Sequence, residues 1–321
     1  MRKKITGAVA TLAVVVGAVM AVGTGEASAD TVINGCNIVS EPSTTRYTNC
    51  PGADFGTANL DRVDLSYANL EGANFSEVSS FTYTKMYYAN LKNTNFDGRN
   101  LQKISWVGAD ASGATLVSAD MSGISNLPRL DRADLSRVNL SKMNTTFGGV
   151  ALNGAILKGA NLEQAYLYSA SLKGADLSDA RLNFADLSSA LFTSDTKLDG
   201  ADLSDTLLSR VDFTGTAVMP KDIVTTADSS GYATVSWTDP VNVDGVTLTD
   251  CSRASGTRFE VYTHVVNCKV QSESSLNLPL APGSGRFFVT VNPLSAPNPD
   301  PVDPGNPGNG TAGSLGSPFG S

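Results

Sequence analysis

The sequence predicts an all-β chain built mostly as a β-solenoid, on three observations: a five-residue repeat from Ala53 to about Gly215, a secretory leader before it and β-rich runs after it. The repeat is visible in Ala58-Asn59-Leu60, Val63-Asp64-Leu65, Ala68-Asn69-Leu70 and Ala73-Asn74-Phe75. It returns in Ala160-Asn161-Leu162, Ala175-Asp176-Leu177, Ala185-Asp186-Leu187 and Ala201-Asp202-Leu203, for about 31 units in all.

The period selects the geometry. In an α-helix five residues turn the side chain by about 500°, so apolar positions would wander by about 140° per repeat and form no stripe. A long flat strand fails as well, because alternation would send every second repeat to the opposite face. A short extended piece followed by a corner satisfies both constraints. The small residue and the central Leu or Phe, two apart, then share the inward side, and the other three positions face water or turn the corner. The candidate core is Phe55, Leu60, Leu65, Leu70, Phe75, Leu162, Leu177, Leu187, Leu203 and Phe213, each contributing about 1.5–3 kcal/mol.

The motif, Ala-(Asp/Asn)-Leu-x-x, resembles that of the pentapeptide-repeat family. The resemblance implies a right-handed quadrilateral β-helix with four sides per coil. Residues 53–215 then form about eight coils and a rod about 40 Å long. Register slips are expected where central residues step unevenly: Phe75 to Phe81, Met121 to Leu130, Leu140 to Phe147 and Phe192 to Leu198. Each reads as a corner bulging into a small loop, with 123–130 the largest; function or neutral drift explains such loops equally well.

At the N-terminus, Arg2, Lys3 and Lys4 precede an apolar run that ends in Ala27-Ser28-Ala29. This reads as a signal peptide over 1–29, giving a secreted, extracellular or envelope-associated protein with no membrane span. Its removal leaves 20 basic and 30 acidic residues, net −10, a balance that disfavours nucleic acid and anionic lipid. Four cysteines in an exported chain read as disulfides, Cys36 with Cys50 and Cys251 with Cys268. Residues 30–52 form the N-terminal cap that a solenoid edge requires.

From 218 to 292 the runs Ala233–Trp237, Val246–Thr249, Arg258–Val266 and Arg286–Val291 read as a small β-sandwich. The string Met219-Pro220-Lys221-Asp222-Ile223, Val235-Ser236-Trp237-Thr238-Asp239-Pro240, Cys251, Ser255-Gly256-Thr257 and Phe287-x-Val289-x-Val291 resembles a hyalin repeat (HYR) module. That resemblance implies an immunoglobulin-like extracellular domain associated with adhesion. Such modules commonly carry a second cysteine pair, which this chain lacks at both positions. Residues 293–321, rich in Pro, Gly, Asn and Ser, read as a disordered tail.

No catalytic set emerges, and neither a cofactor nor a metal site is expected. The sole histidine, His264, falls in a strand between Thr263 and Val265. Asp176, Asp186, Asp202 and Asp212 all hold the repeat position before the central residue, where the repeat already explains them, and a general acid needs burial that a water-facing position lacks. Tyr83, Tyr87 and Tyr88 form a candidate binding patch for an envelope glycan or protein, while Trp106 sits at a central, inward position. The leading reading is a non-enzymatic scaffold or adhesion protein. A rod end could pair two copies as a homodimer. The alternatives are a DNA-mimic topoisomerase inhibitor, disfavoured by export and by 19 acidic against 14 basic residues in the repeat region, and a polysaccharide-active β-helix protein.

Overall fold

The computed structural model describes residues 30–145, 149–238, 243–275 and 280–294. Residues 1–29, read as a signal peptide, Phe147 and residues 295–321, read as a disordered tail, lie outside the described residues. All regular elements among the described residues are β-strands. A hairpin of β1 (Thr31–Ile33) and β2 (Cys36–Ile38) opens the chain, and a Cys36–Cys50 disulfide ties it to the first ladder of the solenoid.

From Asn49 onward the chain is a β-helix of single-residue parallel bridges. One outward column runs Asn49, Asn69, Asn90 and Asp110; a second runs Asp54, Asn74, Asn95 and Thr115. Most central residues donate their amide to the next coil, as Leu70 does to the Asn90 carbonyl at 2.9 Å. The small residue after the corner bonds back across it, as Ala68 N does to the Leu65 carbonyl at 3.1 Å. The second corner residue lies in the left-handed region, which explains glycine at Gly72 (φ 71°); Tyr67 holds the same conformation at 60°.

Asp or Asn before the central residue has a local cause. Its Oδ1 accepts the amide two residues on, in Asp64 from Ser66 at 3.0 Å and in Asp176 from Ser178 at 3.1 Å, stapling the corner that follows. Asparagines also link coil to coil, Asn69 Nδ2 donating to Asn49 Oδ1 at 2.8 Å.

Inside, Phe55, Leu60, Leu65, Leu70, Phe75, Leu162, Leu177, Leu187, Leu203 and Phe213 are fully buried. Phe55, Phe75 and Phe96 stack along the axis at 4.6 and 4.8 Å between centroids. Buried threonines bond to the wall, Thr84 Oγ1 donating to the Leu60 carbonyl at 2.7 Å, so the core leaves no orphaned hydroxyl there.

Coils spanning Phe75 to Phe81 and Phe192 to Leu198 hold one added residue, as Asn59 with Ser80 and Asp176 with Lys197, 21 apart, show; the other two irregular steps resolve differently from the expected bulges. Around 123–130 the coil is shortened: Asp110 pairs with Arg129, Thr115 with Asp134 and Asp120 with Asn139, 19 residues apart. Ile124 turns inward and accepts the Asn144 amide at 3.0 Å. The added length falls in the following coil, where Asp134 pairs with Ile156 and Asn139 with Asn161, 22 apart. After Leu140 the ladder keeps its step through Asn144, which pairs with Tyr166.

Beyond the repeats lie β3 (Ile223–Thr226), β4 (Tyr232–Val235), β5 (Val246–Thr249), β6 (Thr257–Glu260), β7 (Thr263–Ser272) and β8 (Gly283–Asn292). One sheet has the order β3-β8-β7-β5, with β3 parallel to β8; β4 and β6 form a separate antiparallel pair. The run expected as one strand over 258–266 breaks at Val261-Tyr262, because β6 pairs with β4 while β7 pairs with β8 and extends to Ser272. Trp237 packs edge-on against Phe287 at 5.0 Å and Phe259 at 6.4 Å, and Cys251–Cys268 is a disulfide.

This unit completes the last coil. Leu203 N donates to the Asp244 carbonyl at 2.8 Å and Phe213 N to the Ser284 carbonyl at 2.7 Å, while Ser284 N returns to the Val211 carbonyl at 2.8 Å. Backbone that a solenoid end leaves unpaired is thereby bonded.

Candidate binding surface

Four outward columns separate four corners, and the tyrosines fall on two of them. Tyr83 turns the corner between the Ser80 and Lys85 columns. Tyr87 and Tyr88 turn the next, between the Lys85 and Asn90 columns. The patch therefore divides. Tyr83, 54% exposed, lies between Arg62 and Lys103, whose charged groups sit 5.5 and 5.8 Å from its ring centroid. With a cation on each side, its ring is committed to its own coil neighbours.

Tyr88 is 61% exposed and stacks on Tyr67 at 5.6 Å and 12°. Its ring also covers Gly108, one coil on: a Cβ there would fall 2.5 Å from two ring carbons. Further along the same corner come half-exposed Val107, then Leu127 and Pro128, and then Tyr168 with Tyr166 beside it, their rings stacked at 6.0 Å. Between the two tyrosine pairs, where the shortened coil interrupts the ladder, lies a groove of about 520 Å³ lined by Val107, Leu127, Pro128, Asn126 and Val150. Tyr67, Tyr166 and Tyr168 were not singled out from the sequence. The available signal was the 21-residue spacing of Tyr67 and Tyr88, one coil.

The residues weighed for chemistry are placed apart. His264 packs edge-on against Phe259 at 5.2 Å, and its Nε2 lies 3.0 Å from the Glu260 carbonyl oxygen. Burial pushes the Asp176 carboxyl up, but hydrogen bonds from Ser178 and the Lys197 ammonium outweigh it, so its pKa is lowered. Asp202 follows the same pattern through Ser204 and Asn183. A lowered pKa is opposite to what a general acid needs. Among the described residues no group of three or more His, Cys, Asp or Glu is placed to hold a metal.

Fold and surface together define a protein of the parallel β-solenoid class, with its side chains displayed on long outer faces. The repeats themselves are pentapeptide repeats: residues 46–76, 89–125, 147–183, 155–193 and 185–218 match the family model "Pentapeptide repeats", in eight copies. No curated protein sequence matches the chain. Among solved structures it is similar to HetL, a pentapeptide repeat protein involved in heterocyst differentiation regulation from the cyanobacterium Nostoc sp. strain PCC 7120, at 26% identity over 52% of this chain and 79% of that one, TM-score 0.23. It is also similar to full-length QnrB1, a plasmid-mediated fluoroquinolone resistance protein, at 15% identity over 52% and 90% of the two chains, TM-score 0.25. A third is a pentapeptide repeat protein of the Arabidopsis thaliana thylakoid lumen, at 24% identity over 42% and 68%, TM-score 0.17. Superpositions this loose carry no argument about function.

Proposed function

We propose that the chain is an exported, non-enzymatic binding scaffold of the extracellular space or cell envelope. In this reading a right-handed quadrilateral rod of about eight coils, residues 53–215, carries an HYR-like immunoglobulin-type β-sandwich at 218–292. The observation behind it is the continuous ladder from rod to C-terminal unit, Leu203 to Asp244 and Phe213 to Ser284, which makes the two one body with outward faces free to bind. Two disulfides suit an oxidising compartment, and the Arg2–Ala29 leader supplies the route.

The topoisomerase-inhibitor alternative draws less support. Some acidic side chains of the rod are ion-paired between coils, among them Asp176 with Lys197 at 3.0 Å and Glu163 with Arg181 at 3.2 Å, so basic groups are interspersed where a phosphate-like array would show one sign. Fractionation of supernatant and envelope, followed by pull-down with purified protein, tests the proposal. Recovery in either fraction with retention on envelope material is expected. A cytoplasmic location with inhibition of gyrase supercoiling would overturn it.

A further inference from the structure

Among the four corners of the rod, the one carrying Tyr67 and Tyr88 is uncharged over most of its length, with Arg210 its one ionised side chain among the described residues of 53–215. From Ser66 to Ser189 its described corner positions hold tyrosine, serine, valine, glycine, asparagine, leucine and proline, with no Asp, Glu, Lys or Arg. The other three corners carry ionised side chains over the same span: Glu71 and Lys92 on one, Asp97 and Lys158 on the next, Arg62 and Lys103 on the third. Three charge pairs flank this corner, Lys85 with Asp64 at 3.7 Å, Lys92 with Asp110 at 3.5 Å and Arg129 with Asp131, while Asp186, in the Tyr166 column, accepts the Ser188 amide at 2.9 Å. A neutral line of tyrosines on a chain with 17% charged residues is a feature of this surface alone.

We propose that this corner binds a neutral, linear polysaccharide laid along the rod axis. The inference rests on the binding-scaffold reading and adds the ligand class and the site. The chemistry selects such a ligand. Sugar rings present apolar C–H faces rimmed by hydroxyls, and tyrosine matches both with an apolar ring and a polar tip. A cationic chain would find no free opposite charge, and an anionic one only Arg129 at the groove, which is already paired with Asp131. The two stacked pairs, Tyr67 with Tyr88 and Tyr166 with Tyr168, are ordered before a ligand arrives, which lowers the entropy cost of binding. They stand four coils apart, about 20 Å at the inter-strand spacing, so a chain of several sugars spans both. The groove between them, with Val107 and Leu127 on its walls and Asn126 and Thr145 as polar partners, seats the middle of that chain.

Affinity electrophoresis of the purified protein through gels containing amylose, laminarin, hydroxyethylcellulose or mannan, with polygalacturonate as the anionic control, tests the proposal. Retardation by at least one neutral polysaccharide is expected, unchanged when salt rises from about 0.05 to about 0.5 M, a range that screens charge attraction. The Tyr88→Ala/Tyr168→Ala double variant should lose about tenfold or more in affinity, and Tyr83→Ala should match the parent. Val107→Asp, which adds a charge without removing a ring, provides a second reading should the double variant fail to fold. Retardation by none of the neutral gels, by polygalacturonate alone, or equally for parent and both site variants overturns the inference. Retention on isolated envelopes, measured in parallel, separates the two levels: envelope binding without neutral-glycan binding removes this site and leaves the scaffold reading, and loss of both removes both.

Discussion

Ser272 Oγ donates to the Leu203 carbonyl at 2.7 Å and accepts the Thr206 amide at 3.0 Å, joining chain segments nearly 70 residues apart. Ser272 is buried at the end of β7, and Leu203 is a central residue of one of the last coils. A single hydroxyl thus serves two backbone groups at the seam between rod and C-terminal unit.

Ser272→Ala removes both bonds and leaves the Thr206 amide and the Leu203 carbonyl only their 3.2 Å bond to each other. A loss of about 1–2 kcal/mol in unfolding free energy is expected, read from urea denaturation. A change within about 0.5 kcal/mol of the parent would mean that the seam contributes little.

Leu177 is fully buried and Leu191 is 48% exposed, although both belong to the repeat. Leu177→Ala should cost about 2–5 kcal/mol through lost burial and the cavity left behind, and Leu191→Ala less than about 0.5 kcal/mol. Thermal melts of both variants measure the contrast, and equal costs would reject the inward and outward assignment.

Asp176 and Asp202 titrate below the ordinary carboxyl value of 3.8. Desolvation works against this shift, but hydrogen bonds from Ser178 and Ser204 prevail. A carboxyl whose folded pKa is depressed adds stability above its unfolded value, and that stability is lost as pH falls through the folded value. The melting temperature should therefore be level with respect to these groups above about pH 5 and drop progressively below about pH 4. Asp176→Asn should flatten the acid limb of a melting curve against pH.

Gly108 has φ 74°, and a Cβ there would sit 2.5 Å from two ring carbons of Tyr88. Gly108→Ala should cost about 1 kcal/mol or more and displace the Tyr88 ring from its stack on Tyr67. Thermal melting reads the first effect, and near-ultraviolet circular dichroism the second. An unchanged tyrosine signal would show that the ring does not depend on this glycine.

Much of the rod was legible in the sequence, since burial at Phe55, Leu162 or Phe213 follows from spacing alone. The role of the residue before each central position was less visible. Asp64 and Asp176 face outward, but their link to the amide two residues on depends on corner geometry that composition does not encode. Tyr83, Tyr87 and Tyr88 look like one patch because they are neighbours in sequence; the corner between them aims Tyr83 at Arg62 and Lys103 and Tyr88 at Tyr67 and Gly108.

By itself the sequence determined which side chains face the interior, because a five-residue apolar period is compatible with a bent extended chain and with neither a helix nor a flat strand. Only the tertiary structure decided which corner residues become neighbours and how the last coil is closed. Coil length varies from 19 to 22 residues, so lateral phase is the accumulated sum of small local choices. The strands that finish the ladder at Asp244 and Ser284 reach it from far along the chain, through backbone bonds that no side-chain pattern records.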